Sequence, residues 1–406
     1  MTEIANTPEL RFPNYENSWF SYKLNDISER VTRKNKNLES QRPLTISGQL
    51  GLIDQIEYFN KSVSSKNLTG YILIKKGEFA YNKSYSNGYP LGAIKKLERY
   101  DLGILSSLYI CFSFDENIDK SFMKNYFEST KWYREVANIA VEGARNHGLL
   151  NIPVNDFFNI NINLPIQYEQ EKIGEFFSKL DRQIELEEKK LELLEQQKRG
   201  YMQKIFSKEL RFKDENGNDY PKWVTQKIKE LGNVYTGNTP SKKQSAYWNS
   251  NNYIWVTPTD INNKKNVKNS EYMLSDEGFK KARQLPKNTL LITCIASIGK
   301  NAILREEGSC NQQINALVPN NDKNVDFLYY AFEKVSKYMK RIAGKTATQI
   351  VNKSTFENIS IEVPNIEEQL KIGRFLNSFD KLIEKQVSKI ELLKQRKQGL
   401  LQKMFV

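Results

Sequence analysis

Several turn-rich stretches of this 406-residue chain are crowded with lysine, arginine, amide and hydroxyl side chains. Those residue types suit one chemistry: cations neutralise phosphates, while amides and hydroxyls address the edges of bases. In the first half the candidates are Lys83, Tyr85, Asn87, Tyr89, Lys95, Lys96, Arg145 and Asn146. In the second they are Ser241, Lys242, Lys243, Thr259, Lys300, Asn301, Lys345, Thr346, Thr348 and Gln349. The loops 143–151 and 344–350 lie at equivalent places ahead of two long helical stretches, which argues for a shared role. A net charge of +13 and a pI near 9.2 point to a polyanionic partner. The charge is uneven: residues 13–163 hold nineteen basic and sixteen acidic side chains, residues 232–362 eighteen and eleven, so the second stretch is the more cationic.

Catalytic chemistry is not legible. No Gly-x-Gly occurs among the 20 glycines, so the phosphate loop of a dinucleotide or S-adenosylmethionine site is not expected. Gly299-Lys300 is followed by Asn301 and has Cys294 where a nucleotide-binding loop needs its first glycine. None of the 12 prolines precedes an aspartate, which removes the usual nuclease core. His147 stands alone in a polar loop, and Cys111, Cys294 and Cys310 lack metal-site spacing, so no metal and no catalytic residue is expected. The absence of a long apolar run and of a basic, apolar leader predicts a cytoplasmic protein with no membrane partner.

The elements that would position the polar loops are repeated. Residues 164–206 and 363–405 align without a gap at an offset of 199, and 20 of 43 positions are identical. In the first copy Ile173, Phe177, Leu180, Ile184, Leu191 and Leu194 recur three and four apart, the seam of a helix packing along another helix. In the second copy Ile372, Leu376, Phe379, Ile383, Ile390 and Leu393 do the same. Glu187 and Lys198 interrupt the first seam, Gln386 and Lys397 the second. A helix of about 40 residues is about 60 Å long and needs a partner for its apolar stripe. The other copy is the nearest one, and a compact domain between the two makes them antiparallel, with an internal pseudo-two-fold axis. A second repeat, Glu9-Leu10-Arg11-Phe12 against Glu209-Leu210-Arg211-Phe212, places the chain start beside the end of the second helix. The expected organisation is a first α/β (α+β) domain over 1–163, a helix over 164–206, a second α/β domain over 207–362 and a helix over 363–406.

These features resemble the specificity subunits of type I restriction-modification systems. The resemblance rests on the opening Glu-Leu-Arg-Phe segment, the Pro-x-x-x-x-Gln-x-x-Ile-Gly boxes from Pro165 and Pro364, and the glycine- and glutamine-bearing helix ends. In the second domain it includes Gly237-Asn238-Thr239-Pro240-Ser241, Tyr247-Trp248 and Trp255-Val256-Thr257-Pro258-Thr259-Asp260-Ile261. The first domain departs from it, with no Gly-x-Thr-Pro after Leu24. The resemblance implies two target recognition domains, each reading half of a bipartite, asymmetric site in double-stranded DNA, and a coiled coil that fixes the spacer. It implies a non-catalytic chain serving two methyltransferase subunits and, in the full complex, two restriction/translocase subunits, with S-adenosylmethionine and ATP bound by those partners only. The alternative is a coiled-coil adaptor holding two protein-binding domains, its charge incidental.

Overall fold

The computed structural model describes residues 6–61, 63–85, 88–140, 150–261, 265–344 and 350–406. Chain contacts divide it into two compact units, Met1–Lys189 with Ser388–Val406, and Lys190–Val387. Both division points fall inside the long helices, because each half of a helix packs with the unit beside it.

In the first unit the chain forms β1 (Phe20–Lys23), β2 (Ser28–Arg30), β3 (Leu44–Ser47), β4 (Gly51–Asp54) and α1 (Gln55–Phe59). Strands β5 (Ile72–Lys75), β6 (Phe79–Asn82), β7 (Ala93–Lys96), β8 (Leu102–Leu105) and β9 (Ile110–Phe114) follow. Next come α2 (Lys120–Glu128), α3 (Tyr133–Ile139), α4 (Val154–Phe158), β10 (Asn161–Leu164) and the start of α5 (Gln167–Phe206). The largest sheet has the order β2-β9-β6-β7, and β1 pairs with β10, β3 with β4 and β5 with β8, all antiparallel. Its main core gathers Trp19, Phe122, Tyr126, Trp132 and Phe177 with Leu401, Met404 and Phe405 from the other end of the chain.

The second unit has β11 (Val224–Lys227), α6 (Ile228–Leu231), β12 (Gly232–Thr236), β13 (Tyr253–Val256), β14 (Asn266–Val267), β15 (Tyr272–Leu274) and α7 (Asp276–Lys281). These lead into β16 (Thr289–Thr293), β17 (Asn301–Leu304), β18 (Gly308–Cys310), β19 (Ile314–Pro319), α8 (Val325–Ala343), α9 (Lys353–Glu357), β20 (Ser360–Val363) and α10 (Ile366–Lys403). A five-stranded sheet runs β12-β19-β16-β17-β14, a three-stranded one β15-β13-β18, and β11 pairs with β20. All of β16, Thr-Leu-Leu-Ile-Thr, is buried, as an unbroken apolar run at a sheet centre should be.

Within each unit two helix halves pack antiparallel. In the first, Lys397 pairs with Asp181 at 2.6 Å and Lys394 with Glu188 at 2.6 Å, so one helix number rises as the other falls. In the second, Lys198 pairs with Asp380 at 2.5 Å, and the Tyr201 ring lies 5.1 Å from Phe375. Seam residues Ile173, Phe177, Ile184, Ile372, Leu376 and Ile390 are buried, and Leu180, Leu191, Leu194, Phe379, Ile383 and Leu393 are half-buried. The polar interruptions are therefore packed positions rather than flaws: Lys198 and Lys397 each meet an aspartate, Glu187 meets Lys389, and Gln386 is buried.

The repeated motifs make one docking set, found once in each unit. Gln170 accepts from Asp119 N at 3.1 Å and donates to Pro165 O at 2.9 Å. Gln369 accepts from Asn324 N at 2.9 Å and donates to Pro364 O at 2.9 Å. Asp119 and Asn324 are the N-caps of α2 and α8, so each glutamine holds a cap in place. Gly174 and Gly373 sit where a Cβ would press on those same cap residues. The carboxylates of Glu169 and Glu368, both fully buried, hold Arg11 and Arg211. Leu10 N bonds to Lys403 O at 2.9 Å just as Leu210 N bonds to Lys204 O at 3.0 Å, so the opening segment caps α10 as residue 210 caps α5.

Candidate nucleic-acid interface

The second unit builds an open polar cleft from the motif Gly237-Asn238-Thr239-Pro240-Ser241. Gly237 is required by close approach, since a Cβ there would collide with the Cys310 and Asn311 carbonyls. Its N–H bonds to Ile314 O at 3.1 Å, and Asn238 N to Cys310 O at 3.0 Å, which pins the loop to β18 and β19. The Asn238 side chain accepts from Arg283 N at 2.5 Å and donates to Lys281 O at 2.9 Å. Two indoles complete the support: Trp255 Nε1 donates to Asn238 O at 3.0 Å and Trp248 Nε1 to Ser241 O at 3.2 Å. Their rings meet edge to face at 5.0 Å. Held this way, Thr239, Ser241, Lys242 and Lys243 face solvent.

The opposite wall is Thr257-Pro258-Thr259-Asp260. Asp260 accepts from Thr257 N and Oγ1, each at 2.7 Å, and from Glu271 N at 3.0 Å. This closes the turn and leaves Thr259 exposed, with its hydroxyl 2.7 Å from that of Thr257. Thr239, Lys242, Thr259, Gln312 and Gln313 line one cleft, with Thr239 Oγ1 donating to Gln312 Oε1 at 2.6 Å. The structure thus brings Lys242 and Thr259 together. The sequence reading missed Gln312 and Gln313; the signal was the amide run Asn311-Gln312-Gln313 just before β19.

Lys300 lies elsewhere, beside Lys340 in a second recess. Its loop departs from β16 because Thr293 Oγ1 donates to Ser297 O at 2.5 Å and accepts from Lys300 N at 3.0 Å. Strand β16 therefore stops at Thr293. Asn301 is half-buried, and its amide donates to Tyr329 O at 2.9 Å. Lys345, Thr346, Thr348 and Gln349 lie outside the described residues.

In the first unit the candidates are more neutralised. Lys95 requires correction: its side chain is 6% exposed, with Nζ 2.5 Å from Glu128 and 4.8 Å above the Tyr89 ring, so it is an interior ion pair. In β7 it shares the sheet face of its register partner Ala80, and Tyr89 and Glu128 close over it, which a Lys-Lys pair read alone does not reveal. Lys96 pairs with Glu98 at 3.0 Å, and Tyr89 donates to Gly48 O at 2.8 Å. Lys83 Nζ reaches Ile152 O at 3.4 Å. Tyr85 is 63% exposed. Asn87, Arg145 and Asn146, with His147, fall outside the described residues.

One ionic cluster went unforeseen. In the second unit Lys265 pairs with Asp326 at 2.7 Å, Arg305 pairs with Asp326 at 2.6 Å, and Tyr330 bonds to Asp380. Burial holds the Lys265 ammonium below the usual lysine range, against the pull of Asp326 and Asp380. Burial would raise Asp326, but Lys265 and Arg305 outweigh it and hold the carboxyl low. The three thiols are buried, and burial pushes Cys111, Cys294 and Cys310 up to about 12, which makes them unreactive at neutral pH. Among the described residues no helix is long and apolar enough to cross a membrane.

Residues 220–394 match the family described as the type I restriction modification DNA specificity domain. The type I restriction enzyme MjaIX specificity subunit of Methanocaldococcus jannaschii is 33% identical over 208 residues, covering 50% of this chain and 48% of that protein. The EcoR124I/EcoR124II specificity subunit of Escherichia coli is 26% identical over 245 residues, 58% of this chain and 57% of that one. These alignments span about half the length of the curated relatives. Among solved structures, the type I restriction-modification S subunit from M. genitalium superposes with a TM-score of 0.58 at 17% identity, covering 98% of this chain and 99% of that one. A chain from a study of assembly and conformational transition in the type I R-M system gives 0.57 at 18% identity, covering 96% and 99%. At these identities the superpositions speak for the fold.

Proposed function

We propose that this chain, whose residues 220–394 match the type I restriction modification DNA specificity domain, is the DNA-reading subunit of a cytoplasmic restriction-modification complex. Each unit reads one half of a bipartite site in double-stranded DNA. The paired helices form an antiparallel coil with pseudo-two-fold symmetry that sets the spacer. The observation that carries this reading is the docking set made once in each unit, at Arg11, Glu169, Gln170 and Gly174 and again at Arg211, Glu368, Gln369 and Gly373. Two like attachments bearing unlike outer surfaces suit a site with two unlike halves, as a symmetric dimer suits a palindrome.

In the second unit Lys242, Lys243 and Lys300 supply charge for the backbone, and Ser241, Thr239, Thr259, Gln312 and Gln313 present donors and acceptors for base edges. In the first unit Lys83, Tyr85, Asn87, Arg145 and Asn146 remain the proposed contacts. Methylation and cleavage fall to methyltransferase and restriction/translocase subunits, which would bind S-adenosylmethionine and ATP; the charged outer face of the coil, with Glu185, Lys189 and Glu192, would receive the methyltransferases. The test is DNA binding by the full chain assembled with its methyltransferase, between 50 and 200 mM salt. With 6–10 phosphate contacts affinity should fall by about 10³–10⁵. Binding without salt dependence, or none, would favour the protein-binding adaptor.

A further inference from the structure

In the first unit, the end of α2 and the segment behind it close over an aromatic cluster. Tyr126 is 1% exposed, with its ring 6.0 Å from Phe405. Helix α2 stops at Glu128, the chain turns through the fully buried Trp132, and α3 lies over the edge of β10. There Glu135 Oε2 accepts from Asn161 N at 3.0 Å and Asn161 Nδ2 at 2.8 Å. Trp19, beneath this cover, is 2% exposed.

The second unit begins the same way and then departs. Helix α8 starts from Asn324 as α2 starts from Asp119, with Phe327 in the place of Phe122. Counting from those caps, Ala331 holds the position of Tyr126. Phe206, Trp223 and Ser360 stand for Phe405, Trp19 and Asn161, and Phe206 lies 6.1 Å from Trp223 much as Phe405 lies 6.3 Å from Trp19. Helix α8 does not break but runs on to Ala343, so among the described residues nothing equivalent to α3 folds back over β20. What remains is a cleft of about 450 Å³ lined by Phe206, Trp223, Ala331, Lys334, Tyr338 and Ser360. Trp223, unlike Trp19, is only half-buried.

We propose that this cleft is a docking site for a segment of a partner protein that carries an aromatic side chain and, close by, a carboxylate. The aromatic ring takes the place that Tyr126 fills in the first unit, and the carboxylate takes that of Glu135 over the strand edge at Ser360. Lys334 adds a matching positive charge at the wall, where its Nζ bonds to Phe206 O at 2.5 Å. The occupant is therefore described by the chain itself, through the first unit's own filling of the same space.

The probe is a fluorescein-labelled peptide with the sequence of Tyr126 to Ile139, titrated into the full chain, beside a peptide carrying E135Q. The wild-type chain should bind the first peptide, and the glutamine peptide about threefold or more weakly, since a charged acceptor makes the stronger hydrogen bond. Ala331→Tyr should fill the cleft, melt no lower than wild type, and lose about tenfold or more in peptide affinity, or 1.4 kcal/mol. Lys334→Gln, which keeps a donor for Phe206 O and removes the charge, should weaken the peptide with a melting temperature close to that of wild type, and serves if the tyrosine variant does not fold. Failure of the wild-type chain to bind, or equal binding by both variants, would overturn the proposal. So would salt-dependent displacement of the peptide by duplex DNA, or a chain dimer that Ala331→Tyr dissociates; these would assign the cleft to DNA or to a second copy.

Discussion

Glu169 and Glu368 occupy equivalent positions in two units that otherwise share little sequence, yet their surroundings differ. Glu368 accepts from Arg211 Nε and Nη2 and from Trp223 Nε1, at 3.2, 2.6 and 3.1 Å. Glu169 accepts from Arg11 Nε and Nη2 at 2.7 and 2.8 Å. Among the described residues Trp19 Nε1 has no hydrogen-bond partner. The same attachment is thus met by different local compensation: the first unit buries its tryptophan in aromatic packing, and the second ties it to the carboxylate. Attachment is held constant, and what is attached has been free to change.

The contrast can be broken most forcefully at those carboxylates. Glu368→Ala strands a guanidinium and an indole N–H and should cost about 3–5 kcal/mol, as removal of one member of a buried pair does. Glu169→Ala should cost less, because one donor fewer is lost. Urea unfolding followed by tryptophan fluorescence checks the order, and equal losses would mean that the Trp223 bond contributes nothing.

The glycines offer a second, smaller contrast. An added Cβ at Gly174 would stand 2.9 Å from Phe122 N, whereas at Gly373 the matching distance to Phe327 N is 3.3 Å. Gly174→Ala should therefore destabilise by about 1–3 kcal/mol, and Gly373→Ala by less, since overpacking scales with what must move. Thermal melts of the two variants decide it.

Alkaline pH should separate the units in sign. Burial would lower Lys124, but Glu98 and Asp181 outweigh it and hold its ammonium above its ordinary 10.5. The fold thus favours the charged form, and that contribution is present below pH 10.5 and lost as pH rises through the raised value. Lys265 is shifted down by burial, so the fold gains as pH rises from its depressed value toward 10.5. Hydrogen exchange between pH 9 and 11, corrected for intrinsic rates, should show α2 loosening before β17 and α8. Simultaneous loosening would contradict the assignment.

The smallest effects are expected at the proposed reading surface. Lys242→Glu and Lys243→Glu should each lower the salt slope of DNA binding by about 1 and weaken binding similarly on all sequences. Thr259→Ala should instead change preference among sequences.

The long helices were legible because their heptads repeat; Gln167–Phe206 and Ile366–Lys403 lie close to the expected 164–206 and 363–406. What escaped depends on partners remote in sequence. Lys198 and Lys397 could be seen as breaks in a seam, but Asp380 and Asp181 could not be seen as the reason. Lys95 looked like a surface cation until Glu128, 33 positions away, enclosed it. The cleft of the second unit was half legible, since the glycine motif announces a close approach without naming the wall it approaches.

The central claim, that interchangeable readers are carried on a constant attachment, is met most directly by exchanging one reader. Residues 213–362 would be replaced by the corresponding segment of a chain that matches the same specificity-domain model, and genomic methylation mapped in cells carrying the complete system. One half of the methylated sequence should change, with the other half and the spacer kept. A site unchanged in both halves, or altered in both, would contradict the account.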